Sequence, residues 1–309
     1  WGQSDFTFGL ERSLNASLGT ASPTRFRLAD YRYDQWVAVL DARRDLAFDA
    51  FASPLSFATG IEYRGEQFVA RPGDPASYAV GPLTDRAPGA QAGPGLTPAD
   101  AADVSRDVAS IYADLSGDVG ERLFANAALR YERYDDFGGE FAGKLAARFV
   151  LADGWAVRAA LSNNLRAPTL AQTAYQDTSN DFGEGGQVRS VRTLSVASPI
   201  ARAVGARALE PETSVNASLG VTVDLAPSFN LALDAFRIRI DDRITLSERI
   251  SGPRLTEFIR TRFGLAGIDG VNYFTNAVDT ETTGADLVAT WRTGAFDGDL
   301  TLQGAYGYA

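Results

Sequence analysis

The chain has 309 residues, a formal net charge of −10 and a hydrophobic fraction of 45%, which together exclude an intrinsically disordered protein. The acidic balance argues against a nucleic-acid-binding protein, which needs clustered lysine and arginine against the phosphates. Cysteine and histidine are absent, which excludes disulfide bonds within the chain, the usual zinc sites and a Ser-His-Asp triad.

Taken in chain order, the predicted elements are strands with a period of two residues. Val215, Ala217 and Leu219 alternate with Asn216 and Ser218, and such alternation places one face in an apolar medium and the other in a polar one. No stretch reaches the roughly 18 apolar residues of a membrane-spanning helix. About eleven strands are predicted, most of them near the length that crosses a bilayer at a tilt. The predicted spans are 4–11, 30–44, 55–70, 106–117, 122–136, 141–152, 155–166, 214–225, 228–241, 281–293 and 298–309.

The strand predicted at 228–241 departs from this regular pattern. Leu231 and Leu233 share one face, whereas Phe236 and Ile238 fall on the other. A β-bulge, or the exit of the strand from the lipid, would explain the change of phase.

Short and long connections alternate along most of the chain. The predicted tight turns are 118–121, 152–154, 226–228 and 294–298, and the predicted long connections are 72–106, 167–213 and 242–280. Outer-membrane barrels have short turns at the periplasmic end and long loops at the outer end. A soluble domain rarely has several structureless loops longer than about 15 residues. The fold class predicted is therefore all-β, a transmembrane antiparallel up-and-down β-barrel, and a soluble sandwich is disfavoured.

Aromatic residues lie near the predicted strand ends. Trp155 and Trp291 are next to short turns, and the long-loop ends carry Tyr131, Tyr134, Tyr306 and Tyr308. This placement predicts two aromatic girdles at the two membrane interfaces.

Five short motifs follow one another in the later part of the chain. They are RYERYDDFG at 130–138, NLRAPTL at 164–170, LEPETS at 209–214, DAFRIRIDDRI at 234–244 and NAVDTETTGAD at 276–286. In order and approximate spacing they resemble the barrel of TonB-dependent outer-membrane receptors, most strongly over about residues 120–290. We interpret the Arg-Ala-Pro and Pro-Glu segments as architectural, because proline ends ladder pairing where a strand leaves for a long loop.

The resemblance implies a barrel of about 22 strands, and residues 1–309 would form one partial barrel domain with about eleven of them. The plug domain and Ton box of the family are expected N-terminal to the barrel and are not among these residues. An open half-barrel would leave two unpaired edges in lipid. We therefore expect the chain to be part of a longer polypeptide.

Charged residues are predicted to face inward along the strands and to gather in the longest connection. The candidates on the polar face, which would line a plug-filled or watery lumen, are Glu62, Arg64, Arg130, Glu132, Lys144, Arg148 and Arg158. The candidates in the longest connection, as an electrostatic funnel for an anionic ligand or a contact for lipopolysaccharide phosphates, are Arg189, Arg192, Arg202 and Arg207. Asp177, Asp181 and Glu184 are interpreted as a solvated acidic cluster, because their spacing does not match a calcium-binding EF-hand.

The resemblance implies a receptor in the outer membrane of a Gram-negative bacterium. It would take up a scarce nutrient, such as an iron–siderophore complex, with TonB acting through a plug outside this segment. Its other partners would be outer-membrane lipid and lipopolysaccharide. No enzymatic activity, cofactor, metal site or nucleic-acid partner is predicted. A passive porin and a surface-binding barrel, adhesive or structural, are the alternatives.

Overall fold

The computed structural model describes residues 1–49, 51–91, 93–182, 188–265 and 267–309. Within these ranges the strands are β1 (Gly2–Glu11), β2 (Arg25–Leu46), β3 (Leu55–Pro72), β4 (Ala102–Gly120), β5 (Leu123–Tyr134), β6 (Gly138–Ala152), β7 (Trp155–Arg166), β8 (Asp177–Phe182), β9 (Val188–Leu194), β10 (Glu212–Ala226), β11 (Phe229–Leu246), β12 (Ile250–Ser251), β13 (Gly270–Ala295) and β14 (Gly298–Tyr308). The helices are α1 (Pro75–Tyr78), α2 (Leu170–Ala174), α3 (Pro199–Ala203) and α4 (Pro253–Phe263), with 3-10 turns at Ala16–Ala21 and Pro98–Asp100.

Eleven of these strands form one antiparallel wall, in the order β1-β2-β3-β4-β5-β6-β7-β10-β11-β13-β14. Each wall strand pairs with the wall strand before it in the chain, which is the up-and-down order of a barrel. The predicted fold class and the number of wall strands are therefore confirmed. The other three strands belong to the long connections, where β8 pairs with β9, and both β9 and β12 pair with the first residues of β13.

The outer face of the wall is apolar and uncovered. Leu145, Leu161 and Leu219 on neighbouring strands are 61%, 53% and 61% exposed. Removing one such side chain from water is worth roughly 1.5–3 kcal/mol, so rows of exposed leucine are favourable only beside an apolar medium. The alternation predicted from the sequence is thus present in the structure, and it separates this face from a charged inner face.

The change of phase predicted in β11 is not a bulge. Its pairing with β13 continues without interruption from Phe229 to Ile240. On the outer face, Ala235 is followed by Arg237 and Arg239. Each of these two arginines forms an ion pair with a carboxylate. The face therefore turns from apolar to charged along one regular strand, as expected where a strand leaves the lipid. The true irregularity comes later, at Asp242, which has a φ of 57°.

The connections differ between the two ends of the wall. One end has only short connections, at 47–54, 121–122, 153–154, 227–228 and 296–297. The other end has long connections, at 12–24, 73–101, 167–211 and 247–269, and one short connection, at 135–137. The predicted alternation is confirmed apart from that exception. In the described part of the chain, no helix combines the length and the hydropathy required to cross a bilayer.

Three buried hydrophobic clusters pack the long connections onto the wall and onto each other. Leu96 and Leu170, from different connections, pack against Phe68 of β3. In the second cluster Leu194 of β9 and Ile259 of α4 pack with the start of β13. Burial of these side chains fixes the loops over one end of the wall.

The aromatic residues predicted to form the girdles lie near strand ends, but one of them points inward. Trp155, Trp291, Tyr306 and Tyr308 are exposed large side chains of the outer face. Tyr134 is only 5% exposed and contacts Arg106 on the inner face. Its assignment to a girdle was therefore wrong, because even-numbered positions of β5 point inward.

Candidate functional site

A network of opposite charges covers the inner face of β3, β4 and β5. Arg130 Nη2 lies 3.1 Å from Glu62 Oε2 and donates to Ser110 Oγ at 2.8 Å. Arg130 Nε donates to Glu132 Oε1 at 2.6 Å, and Arg64 Nη1 lies 3.3 Å from Glu62 Oε1. The structure thus brings together four of the predicted inward charges. Because each lies beside an opposite charge and is partly buried, they form an ordered and largely neutralised surface.

The other predicted inward charges, on β6 and β7, are arranged differently. Arg158 Nε donates to Asp234 Oδ1 at 2.8 Å, across the intervening strand β10. Arg148 lies opposite Arg158 in the ladder, and Lys144 lies opposite Ser162. Lys144 and Arg148 are exposed, and neither has an ion-pair partner among the described residues. The inner face is therefore positive over β6 and neutralised over β3 to β5.

Arg106, which the sequence patterns did not single out, fastens a long connection to the wall. Its Nε and Nη2 donate to Asp136 Oδ2 at 2.8 and 2.6 Å, and its Nη1 donates to the backbone oxygen of Pro168 at 2.7 Å. The guanidinium carbon lies 5.8 Å from the ring centroid of Tyr134 and 5.5 Å from that of Phe137. The side chain is 2% exposed, so these contacts form in a nearly dry environment.

A second set of contacts closes the base of the same connection. Arg166 Nε donates to Glu212 Oε2 at 2.9 Å, and Glu212 Oε1 accepts from the backbone of Ile244 at 2.8 Å. Asn276 exchanges two hydrogen bonds of 2.9 Å with the backbone of Glu210. Residues from the predicted motifs therefore touch one another where strands pass into loops. These contacts agree with the architectural interpretation of the motifs.

The four arginines predicted to attract an anionic ligand have four different surroundings. Arg192 forms an ion pair with the buried carboxylate of Asp100. Arg189 lines a cavity at the start of α4, whereas Arg202 lies in the last turn of α3. Arg207 lines a different cavity, together with Asn276. Arg192 therefore holds two long connections together and contributes no free charge to a funnel.

An aromatic cavity of about 380 Å³ lies where β1 and β2 meet the long connections. We define the aromatic cavity by Phe6, Phe8, Tyr31, Leu96, Tyr175 and Asp177, which line it. The ring centroid of Tyr31 lies 6.4 Å from that of Phe6 and 6.2 Å from that of Tyr175. These residues come from segments far apart in the chain, and no local pattern links them.

Asp177 is the charged group of the aromatic cavity. Tyr175 Oη donates to its Oδ2 at 3.2 Å, and the backbone nitrogen of Thr178 donates to its Oδ1 at 2.8 Å. Burial raises the pKa of the Asp177 carboxyl to about 6. Asp177 is thus partly buried and not solvated as predicted, whereas Glu184 and the side chain of Asp181 lie outside the described residues. Where the chain is described, no three acidic residues gather as metal ligands would.

An up-and-down antiparallel wall with an apolar outer face and a charged inner face defines the chain as part of a transmembrane β-barrel. A family model described as "TonB dependent receptor-like, beta-barrel" matches residues 1–309. The chain therefore belongs to this family, as the motifs indicated. No match is found among curated proteins.

Solved structures of the same fold include two proteins named as receptors and one named as a copper transporter. The siderophore receptor PirA from Pseudomonas aeruginosa is 16% identical, with a TM-score of 0.59 over 99% of this chain and 49% of that chain. A variant of the ferric enterobactin receptor PfeA from Pseudomonas aeruginosa, in complex with enterobactin, is 17% identical, with a TM-score of 0.59 over 97% and 40%. The copper transporter OprC is 16% identical, with a TM-score of 0.54 over 94% and 40%. The chain thus spans half or less of the length of these proteins.

Proposed function

We propose that this chain supplies part of the wall and outer loops of a TonB-dependent receptor that takes up a scarce nutrient across the outer membrane of a Gram-negative bacterium. The observation that carries the proposal is the gathering of four long connections at one end of the wall, over the charged inner face. Membership of the family supports it, because TonB-dependent receptors are transporters and not enzymes.

An iron–siderophore complex is the nutrient class that we propose first. The support is the likeness in fold to two proteins named as receptors for siderophores, one of them holding enterobactin. The likeness to a copper transporter shows that the same fold serves other cargoes. TonB would act through a plug domain outside these residues.

We further propose two contacts of the outer face. The exposed leucine rows, such as those through Leu145 and Leu161, would contact lipid acyl chains. Arg237 and Arg239, which follow the apolar part of β11 toward the long-loop end, would contact the phosphates of lipopolysaccharide, because their side chains stay largely exposed beside their carboxylate partners, unlike that of Arg192.

The test is uptake by cells that lack the gene for the full-length protein. We expect uptake of one labelled candidate ligand to be lost on deletion, to return with the wild-type gene, and to be lost again without TonB. A Tyr175→Ala variant in the aromatic cavity should lower uptake. A Phe296→Asn variant should not, because Phe296 is fully exposed in a short turn at the opposite end and asparagine tolerates its φ of 54°.

Unchanged uptake of every candidate in all these strains would overturn the proposal. A passive porin predicts instead an ion conductance in planar bilayers that does not depend on TonB. A surface-binding barrel predicts that deletion of the gene removes a partner protein from the cell surface and leaves uptake unchanged.

A further inference from the structure

We propose that the aromatic cavity binds a small organic cation whose charge is carried on, or next to, a flat apolar group, such as an aromatic ammonium. The inference rests on the proposed function and names the chemistry of one part of the ligand. It is independent of whether iron, copper or another cargo accompanies that group.

The walls of the aromatic cavity suit a flat cation. Phe6 and Phe8, two residues apart on β1, both line the cavity. Tyr31 and Tyr175 have their ring planes tilted by 31° to each other, at a centroid distance of 6.2 Å. Aromatic faces carry negative charge density and attract cations within about 6 Å. They also stack against flat apolar groups.

The charge inside the aromatic cavity is negative. Asp177 accepts two hydrogen bonds, from Tyr175 and from the Thr178 backbone, but it has no ion-pair partner in the described part of the chain. Arg192, whose positive charge acts on Asp177, forms its ion pair with Asp100 instead. No described residue lining the cavity is basic. A carboxylate with rings around it and no cation of its own favours a cationic ligand and disfavours an anionic one.

The size of the aromatic cavity limits the ligand. A volume of about 380 Å³ is near the lower end of the roughly 300–1,000 Å³ range of small-molecule sites. Leu28 of β2 and Leu96 of a long connection, both buried, form part of the lining of the cavity. The cavity therefore suits one ring with a small cationic group.

The experiment measures binding of three probes to the full-length protein in detergent by titration calorimetry at pH 8, where Asp177 is ionised. The probes are phenyltrimethylammonium, benzyl alcohol and benzoate, which share a ring and differ in charge. We expect the cation to bind at least about tenfold more tightly than either of the others. Asp177→Asn should weaken binding of the cation about tenfold, and Asp85→Asn, at an exposed acid outside the cavity, should not change it.

Equal or tighter binding of benzoate or benzyl alcohol would overturn the inference, as would an Asp177→Asn protein that binds the cation normally. If that variant does not fold, the ranking of the three probes on the wild-type protein decides alone. If uptake depends on TonB but the cation does not bind, this inference is wrong and the proposed function is still supported.

Discussion

Arg158 and Asp234 form an ion pair across a strand to which neither belongs. Arg158 Nε donates to Asp234 Oδ1 at 2.8 Å, and both residues lie opposite Gly220 of the strand between them. A Cβ atom at Gly220 would lie 2.0 Å from Asp234 Oδ1 and 3.0 Å from Arg158 Nε. The pair therefore requires glycine at this position, because any side chain would occupy the space that the two charged groups share.

Gly220→Ala should separate the ion pair and destabilise the barrel by about 1–2 kcal/mol, through overpacking and loss of a charged hydrogen bond. The measurement is the temperature at which the folded band disappears on a semi-native gel. Gly120→Ala is the control, since a Cβ there meets no atom within 4 Å. Equal shifts for the two variants would contradict the role of Gly220.

Arg106→Lys should loosen the long connection that follows β7. Lysine keeps the charge, but it lacks the planar, forked guanidinium that donates to Asp136 and Pro168 together and lies near two aromatic rings. We expect a loss of about 2 kcal/mol or more and faster cleavage within residues 167–211 by an added protease. Arg25→Lys is the control, because Arg25 is exposed. Unchanged cleavage in Arg106→Lys would show that the loop is held elsewhere.

The assignment of faces can be tested by labelling, because the chain contains no cysteine. Lys144→Cys should react with a charged, water-soluble maleimide in outer-membrane vesicles, since its side chain lies on the inner face. Leu145→Cys should react only with a lipid-soluble reagent, since Leu145 is the next residue along the strand and its side chain therefore points to the opposite, apolar face. Mass spectrometry of the labelled peptide gives the yields. The reverse pattern would show that the apolar face is turned inward.

The wall could be predicted from the sequence because its signal is local. Each strand carries its own alternation, so Leu145 and Lys144 could be assigned to opposite faces without knowing any partner strand. The error at Tyr134 had the same local origin, since its position near a strand end suggested a girdle while its parity places it inside. The alternation of residues along a strand therefore predicts which face a side chain lies on better than its distance from the strand end does.

The loops could not be predicted in the same way. Arg192 was grouped with three other arginines by closeness in sequence, yet its partner is Asp100, from another long connection. The aromatic cavity likewise combines Phe6 with Tyr175, which meet only because β1, β2 and the loops fold together. Such contacts depend on loop packing, for which one sequence has no periodic signal. In the sequence, only the motif residues at the bases of the loops indicated where the long connections meet the wall.

Asp177 should make the stability of the loop end depend on pH. Its pKa is raised from 3.8 to about 6 by burial, beside Tyr31, Tyr175, Asp100 and Arg192. Between about pH 4 and 6 the unfolded chain releases this proton and the native protein keeps it, so stability falls as pH rises through that window and is level above it. The fall is at most about 3 kcal/mol. Because Asp177→Asn stays uncharged, the melting temperature of the wild type relative to that variant should decrease from pH 4 to 6.5 in detergent. A relative melting temperature that is constant or rises over this range would contradict the buried state of Asp177.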